Sequence, residues 1–135
     1  MSQLAAPEIT TLIVDDQRDI RLLLRILIDA ANDGLSVIGE AASGPEAIAE
    51  VERIEPVVVV FDEMMPDMTG VEAAAQVRRL RPAQIMVLCT AYLDERVIER
   101  AREAGMDAWL AKQDVADLPD LIRSLVAARK PERPS

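Results

Sequence analysis

Histidine is absent from this 135-residue chain. Its absence removes imidazole from any acid–base or nucleophilic role and rules out zinc sites built on histidine. There is a single cysteine, Cys89, inside the apolar run Ile85-Met86-Val87-Leu88-Cys89. An intrachain disulfide is therefore excluded, and a buried core thiol is expected. Positive charge is scarce: 15 Lys and Arg against 24 Asp and Glu give a net charge of −9. A partner nucleic acid would need clustered basic residues, so direct nucleic-acid contact is not expected, and the charge is read as a solubility feature. No apolar run approaches membrane-spanning length, and Met1 to Glu8 lacks a hydrophobic signal core. The expectation is one cytoplasmic domain without a membrane partner. Half the residues are apolar, enough for a proper core at this length.

The most informative stretch is Val57-Val58-Val59-Val60-Phe61-Asp62, followed by a loop that closes on Thr69-Gly70. Five consecutive apolar residues read as a strand buried on both faces. An isolated Asp at the end of such a strand is costly unless its charge is used. Around this stretch the chain alternates strand and helix five times. Ile9 to Val14 is β-prone and ends at Asp15-Asp16. Ile20, Leu23, Leu24, Leu27, Ile28 and Ala31 form a helical stripe stopped by Asn32-Asp33-Gly34. Leu35 to Ala41 is a second short strand. Ser43-Gly44-Pro45-Glu46 has capping-box form and opens a helix carrying Ala47, Ile48, Val51 and Ile54.

Thr69-Gly70-Val71-Glu72 opens the next helix in the same way, and that helix runs through Val77 and Leu80 to Pro82. The fourth strand, Ile85 to Cys89, ends at Thr90-Ala91. Asp94 caps a helix bearing Val97, Ile98 and Ala101, with Gly105 placed as its C′ residue. Ala108-Trp109-Leu110 is the fifth strand, with Lys112 just past it. The last helix starts at Asp117, with Leu118, Leu121, Ile122, Leu125 and Val126 facing inward. Strict alternation predicts an α/β fold, a parallel sheet with helices on both faces.

Parallel strands bring their C-terminal ends to one edge, so Asp15, Asp16, Asp62, Thr90 and Lys112 are expected to converge there. Gathered carboxylates repel one another, and a hard, oxygen-seeking cation such as Mg²⁺ resolves the conflict. Lys112 and Thr90 add a point charge and a hydroxyl that suit a tetrahedral anion on a carboxylate. This is the electrostatic logic of phosphoryl transfer. Taken alone, Asp15-Asp16 would be a strand-end turn or helix cap, Trp109 core filler, and Met64, Met65 and Met68 loop packing. The charged residues from Asp94 to Glu103 read first as a solvated helix face and second as an interaction surface.

From Thr11 to Val126 the chain resembles the response-regulator receiver domain of two-component signalling. The resemblance is carried by Val14-Asp15-Asp16, Asp62-x-Met64-Met65-Pro66-x-Met68-Thr69-Gly70, Thr90-Ala91 and Gly105-x-x-x-Trp109-Leu110-x-Lys112. It implies a flavodoxin-like (βα)5 three-layer sandwich with strand order 2-1-3-4-5. It further implies that Asp62 accepts a phosphoryl group from a sensor histidine kinase or a histidine phosphotransfer protein. Asp16, Asp62 and the backbone carbonyl of Met64 would ligate Mg²⁺, with Asp15 acting through water. Lys112 would pair with the acceptor and then with the phosphoryl group, Thr90 would be the switch hydroxyl, and Trp109 would hold the switch-aromatic position. Met64 and Tyr92 stand where phosphoryl lifetime is tuned. Phosphorylation would change the surface of the fourth helix, fifth strand and fifth helix, which would then bind a downstream protein or a second copy of the chain. Such a switch is not an enzyme; at most it takes phosphoryl groups from small donors and hydrolyses its own acyl phosphate. Residues 1–8 read as a short extension, 9–128 as the receiver domain and 129–135 as a charged tail.

Four positions depart from the family pattern. Glu63 follows the acceptor where an uncharged residue is usual, an extra carboxylate expected to sit nearest the metal. Thr69 replaces a frequent Asp or Asn, and Trp109 is larger than the usual Tyr or Phe. Gln113 replaces a Pro that commonly has a cis bond; a cis Lys112–Gln113 bond would cost roughly 3 kcal/mol, so a trans bond or an altered loop is expected. The leading expectation is a stand-alone receiver. The alternatives are the receiver fragment of a DNA-binding regulator, suggested by Gly39 to Gly44 and Lys112-Gln113-Asp114, a Mg²⁺-dependent phosphohydrolase, and a degenerate receiver that only binds protein. The hydrolase reading wants an acid two residues after Asp62, where Met64 stands.

Overall fold

A computed structural model of the chain describes residues 8–31 and 34–129. Strands and helices alternate: β1 Ile9–Val14, α1 Arg18–Ala31, β2 Leu35–Ala41, α2 Gly44–Ile54, β3 Val58–Phe61, α3 Gly70–Leu80, β4 Ile85–Thr90, α4 Glu95–Glu103, β5 Ala108–Ala111 and α5 Leu118–Ala128, with a 3₁₀ segment at Lys112–Asp117 leading into α5. The five strands form one parallel sheet in the order β2-β1-β3-β4-β5. The fold expected from the resemblance is therefore the fold observed. The expected turn at Asn32 and Asp33, and the extension and tail beyond residues 8 and 129, lie outside the described residues.

Alternating side chains on the strands divide the core in two. Leu12, Val14, Val59, Phe61, Met86 and Leu88 pack with α2, α3 and α4 on one face. Ile13, Val58, Val60, Ile85, Val87 and Cys89 pack with α1 and α5 on the other. All of β3 and β4 is buried, as expected of strands covered on both faces. Cys89 is the buried core thiol foreseen from sequence, and burial pushes its pKa up to about 11.

Several expectations need correction at the edges. Val57 is not part of β3; it is 37% exposed and follows Pro56, at the strand's N-terminal approach. Leu23 does not face inward: α1 buries Leu24 and Ile28, and Leu23, a residue earlier and about 100° around the helix, is 42% exposed. Leu80, in the last turn of α3, is also exposed. The Ser43 cap forms only in part: Ser43 Oγ accepts from Glu46 N–H, but Glu46 Oε1 accepts from Ala42 N–H rather than closing a reciprocal box. Thr69 and Glu72 do close one, and Asp94 accepts from Val97 N–H. Asp117 makes no side-chain cap, because the 3₁₀ segment feeds the chain into α5 already helical. Among the described residues no peptide bond is cis, as expected for Lys112–Gln113.

Two local arrangements fix the sheet edge. Arg21 of α1 donates from Nη1 to the Asp15 carbonyl at 2.7 Å and from Nε to Glu40 Oε1 at 2.9 Å. Arg25 donates to Glu40 Oε2 from Nη2 at 2.7 Å. The ends of β1 and β2 are thus tied to one helix. The second arrangement is the packing of Gly70 against the β3 end: a Cβ there would lie 2.1 Å from the Asp62 carbonyl oxygen, so only glycine lets α3 start so close.

Two outcomes follow. Burial alone would raise the Glu40 carboxyl, but the hydrogen bonds and charges of Arg25 and Arg21 outweigh it and hold it below the ordinary carboxylate range. A group lowered on folding stabilises the fold above its unfolded pKa, and that stability is lost as pH falls through the folded value. Glu40→Gln should therefore cost about 1 kcal/mol at neutral pH, a fall in Tm of about 3–5 °C, given the partial exposure of the pair. The gap from wild type should close on acidification, as followed by thermal melts across pH. Gly70→Ala should destabilise by about 2 kcal/mol or more in chemical denaturation, because the obstructing atoms are backbone and cannot swing aside.

Candidate functional site

The C-terminal ends of β1, β3, β4 and β5 open on a cleft of about 300 Å³ lined by Asp16, Gln17, Asp62, Met64, Thr90, Ala91, Tyr92 and Lys112. Its depth comes from topology: β1 and β3 are neighbours in the sheet, yet the chain leaves them toward opposite faces, leaving a crevice at their ends. Asp15 and Asp62 sit one residue beyond β1 and β3 and are 1% and 5% exposed. Asp16 is exposed. One carboxylate oxygen from each of Asp15, Asp16 and Asp62 lies within 4.8 Å of the others.

Lys112, directly after β5, places Nζ 2.9 Å from Asp15 Oδ2 and 3.4 Å from Asp62 Oδ1. In this arrangement Lys112 is nearer to Asp15 than to the residue with which the resemblance pairs it. The contact with Asp15 is a buried ion pair, with Oδ2 facing the Lys112 ammonium. Burial raises the Asp62 carboxyl, the negative charge of Asp15 raises it further, and Lys112 pulls it back only in part. Burial pulls Lys112 down, but its contacts with Asp15 and Asp62 outweigh that and leave it raised. A hard cation fits this set, because three carboxylate oxygens meet within 4.8 Å and Lys112 alone leaves burial and the charge of Asp15 holding the Asp62 carboxyl raised.

Thr90 is fully buried, and its Oγ1 has no hydrogen-bond partner among the described residues. It shares strand parity with Leu88 and Met86, so it belongs to the α4 side of the sheet. Trp109 pairs with Leu88 across β4 and β5 and packs against the same core. The indole is half-buried, with the Arg102 guanidinium 5.3 Å from its ring centre and Ile98 and Glu99 of α4 alongside. Thr90 and Trp109 therefore lie on one face of adjacent strands, two registers apart. All the site residues expected from sequence are brought to this edge except Trp109, which lies beside α4 below it.

Glu63 is the correction. It does not join the carboxylates of the cleft. Its side chain turns to the opposite side of the loop that follows β3 and is buried, 3% exposed, accepting from Val71 N–H at 2.9 Å. Its other oxygen lies 3.6 Å from Arg100 Nη2 on α4. Burial raises its pKa, while the Val71 N–H and the charge of Arg100 lower it again in part. Consecutive residues leaving a strand point to opposite sides, which separates Glu63 from Asp62. Sequence reasoning also missed two supports. Gln17 lines the cleft and donates its backbone N–H to Asp15 Oδ1 at 2.9 Å, and Arg21 grips the Asp15 carbonyl. Neither carries a motif; Arg21, on a mixed helix, reads as a surface charge.

Comparison with known proteins agrees with this geometry. The profile of the response regulator receiver domain family matches residues 11–123. The response regulator protein VraR of Staphylococcus aureus is 34% identical over 116 residues, covering 85% of this chain and 55% of VraR, so the chain spans about half the length of that relative. Among solved structures, a two-component response regulator of the LuxR family from Aurantimonas sp. SI85-9A1 superposes with a TM-score of 0.85 at 29% identity, over 94% of this chain and 91% of that one. A CheY-like receiver domain protein from Methanospirillum hungatei JF-1 gives 0.82 at 26% identity, over 92% and 97%. With the strand order, the acidic cleft and these likenesses in agreement, the chain belongs to the response-regulator receiver family, the signal-receiving domain of two-component phosphorelay systems.

Proposed function

We propose that this chain is a phosphorylation switch in which Asp62 accepts a phosphoryl group from a sensor histidine kinase or a histidine phosphotransfer protein. The observation that supports this best is the meeting, in one open cleft, of Asp62, two further carboxylates, the Lys112 ammonium and the unpartnered Thr90 hydroxyl. A carboxylate oxygen of Asp62 attacks phosphorus, a P–O bond forms, and the P–N bond of the donor phosphohistidine breaks with its electron pair returning to the donor imidazole. Asp15, Asp16, Asp62 and the Met64 backbone carbonyl are the groups that would hold Mg²⁺. When bound, that ion supplies positive charge against the phosphoryl oxygens. Lys112 supplies a second positive charge from the β5 side and trades its carboxylate contacts for the new oxygens.

The acyl phosphate adds roughly −1.5 to −2 charge to a cleft already rich in carboxylates. Thr90 can donate its free hydroxyl to the new oxygens, and any shift of Thr90 passes to the segment that ends in the Asp94 cap of α4. Trp109 lies on the same face of the sheet and repacks against α4 as that helix moves. The surface of α4, β5 and α5 then carries the signal to a downstream protein or to a second copy of the chain. Self-hydrolysis of the acyl phosphate resets the switch, with Met64 and Tyr92, both exposed at the cleft mouth, setting access of water.

A second reading, a receiver that forms part of a longer DNA-binding regulator, is favoured by the match to VraR, of which 55% is covered. It assigns the same chemistry to Asp62, and the net charge of −9 argues against DNA contact by these residues themselves.

Incubated with a small phosphoryl donor and Mg²⁺, the wild type should gain one phosphoryl group by intact mass, and Asp62→Asn should gain none. Retained incorporation in Asp62→Asn would overturn the assignment. Thr90→Val should slow incorporation far less than Asp62→Asn while losing most of the donor-dependent change in Trp109 fluorescence.

A further inference from the structure

Glu63 is a buried charge next to the acceptor, and the phosphoryl chemistry gives it no part. Its surroundings are specific. The Glu63 carbonyl accepts from Gly70 N–H at 3.0 Å and its side chain accepts from Val71 N–H at 2.9 Å. One residue thus closes the acceptor loop from both ends onto the first turn of α3, where backbone N–H groups lack intrahelical partners and favour a carboxylate. The remaining oxygen faces Arg100 on α4 at 3.6 Å.

The two helices that meet at Glu63 are held very differently. α3 buries five of its eleven residues, among them Gly70 and Val71, which bond to Glu63. α4 buries only Val97 and Ala101 of nine and begins five residues after Thr90. The Glu63 carboxylate is thus anchored to the firmly packed element, and its ion-pair partner rides on the loosely packed one. Arg100 is itself 59% exposed on its side chain, so it can leave without desolvating anything else, whereas Glu63, 5% exposed, loses a compensating charge when it does.

We propose that Glu63 is a positioning residue whose ion pair with Arg100 ties the acceptor loop to α4 and holds the receiver in its unswitched arrangement. The inference rests on the reading of Asp62 as acceptor and adds a latch to it. An interaction present in one arrangement stabilises it against any other that lacks it, so the latch opposes binding of a phosphoryl group in proportion to what the pair contributes. The strap crosses from the back of the acceptor loop to α4, away from the cleft, and need not touch the phosphoryl group to act.

The test is a titration of beryllofluoride, a tetrahedral phosphoryl mimic, into full-length chain with Mg²⁺, read by Trp109 fluorescence. Arg100→Ala should tighten apparent affinity by about three- to fivefold, the range of a partly exposed pair. Arg100→Glu should tighten it further and Arg100→Lys should leave it near wild type. In a Glu63→Gln background, which keeps the acceptor for Val71 N–H, Arg100→Ala should have no effect. Unchanged or weakened binding in Arg100→Ala, or tightening that persists with Glu63→Gln, would overturn the latch while leaving Asp62 as acceptor. Should Glu63→Gln not fold, the order of the three Arg100 variants, all at an exposed position, decides the matter. A wild type that does not bind beryllofluoride at all would overturn the acceptor reading and the latch with it.

Discussion

The structure depends on a charge conflict that the fold creates and only partly settles. A parallel sheet with both faces covered sends its strand ends to one edge, and here three carboxylates arrive there within 4.8 Å. Among the described residues Lys112, which follows β5, is the one cation in contact with both buried members, Asp15 and Asp62. It restrains the repulsion without cancelling it, and the Asp62 carboxyl stays raised. Conflicts of this kind are removed from ordinary cores because they cost stability, and they persist where the cost supports chemistry. A carboxylate that is buried, crowded by like charge and only partly balanced by Lys112 gains more from a bound cation than an isolated surface Asp would.

The rest of the molecule serves that edge through two separate sets of contacts. On the α1 side, Arg21 and Arg25 fasten β1 and β2 through Glu40 and the Asp15 carbonyl, so the loop carrying Asp15 and Asp16 starts from a fixed point. On the α4 side, Thr90 and Trp109 lie on the sheet face that α4 covers, and α4 itself buries only Val97 and Ala101.

Much of this was legible from residues alone. Runs of β-branched residues ending in Asp or Thr located β1, β3 and β4, and Thr69, Asp94 and Gly105 marked helix ends with the side chains and backbone they use. Convergence of Asp15, Asp16, Asp62, Thr90 and Lys112 followed from parallel topology. What the pattern could not resolve were orientations. Leu23 is apolar and helically spaced, yet the axis of α1 is set by Leu24 and Ile28, and Leu23 falls outside the buried arc. Glu63 was placed beside the metal because it is next to Asp62 in sequence, but adjacency along a strand means opposite sides, and the N–H groups of α3 gave the side chain a better place. Arg21 holds the Asp15 backbone carbonyl and Gln17 donates its own backbone N–H to the Asp15 carboxylate, roles that no residue spacing announces.

Cys89 adds a consequence of a different kind. Its thiol is 2% exposed, lies among Ile13, Val60 and Val87 on the α1–α5 face, and is pushed up to about 11 by burial. At neutral pH it is a thiol with no route for a reagent to reach it, so it is inert while β4 stays in place. The strand that carries it ends in Thr90, at the rim of the cleft. The chain therefore contains its own reporter: the rate at which Cys89 takes up an alkylating label measures how often the centre of the sheet opens, separating a rearrangement at the rim from a loosening of the core.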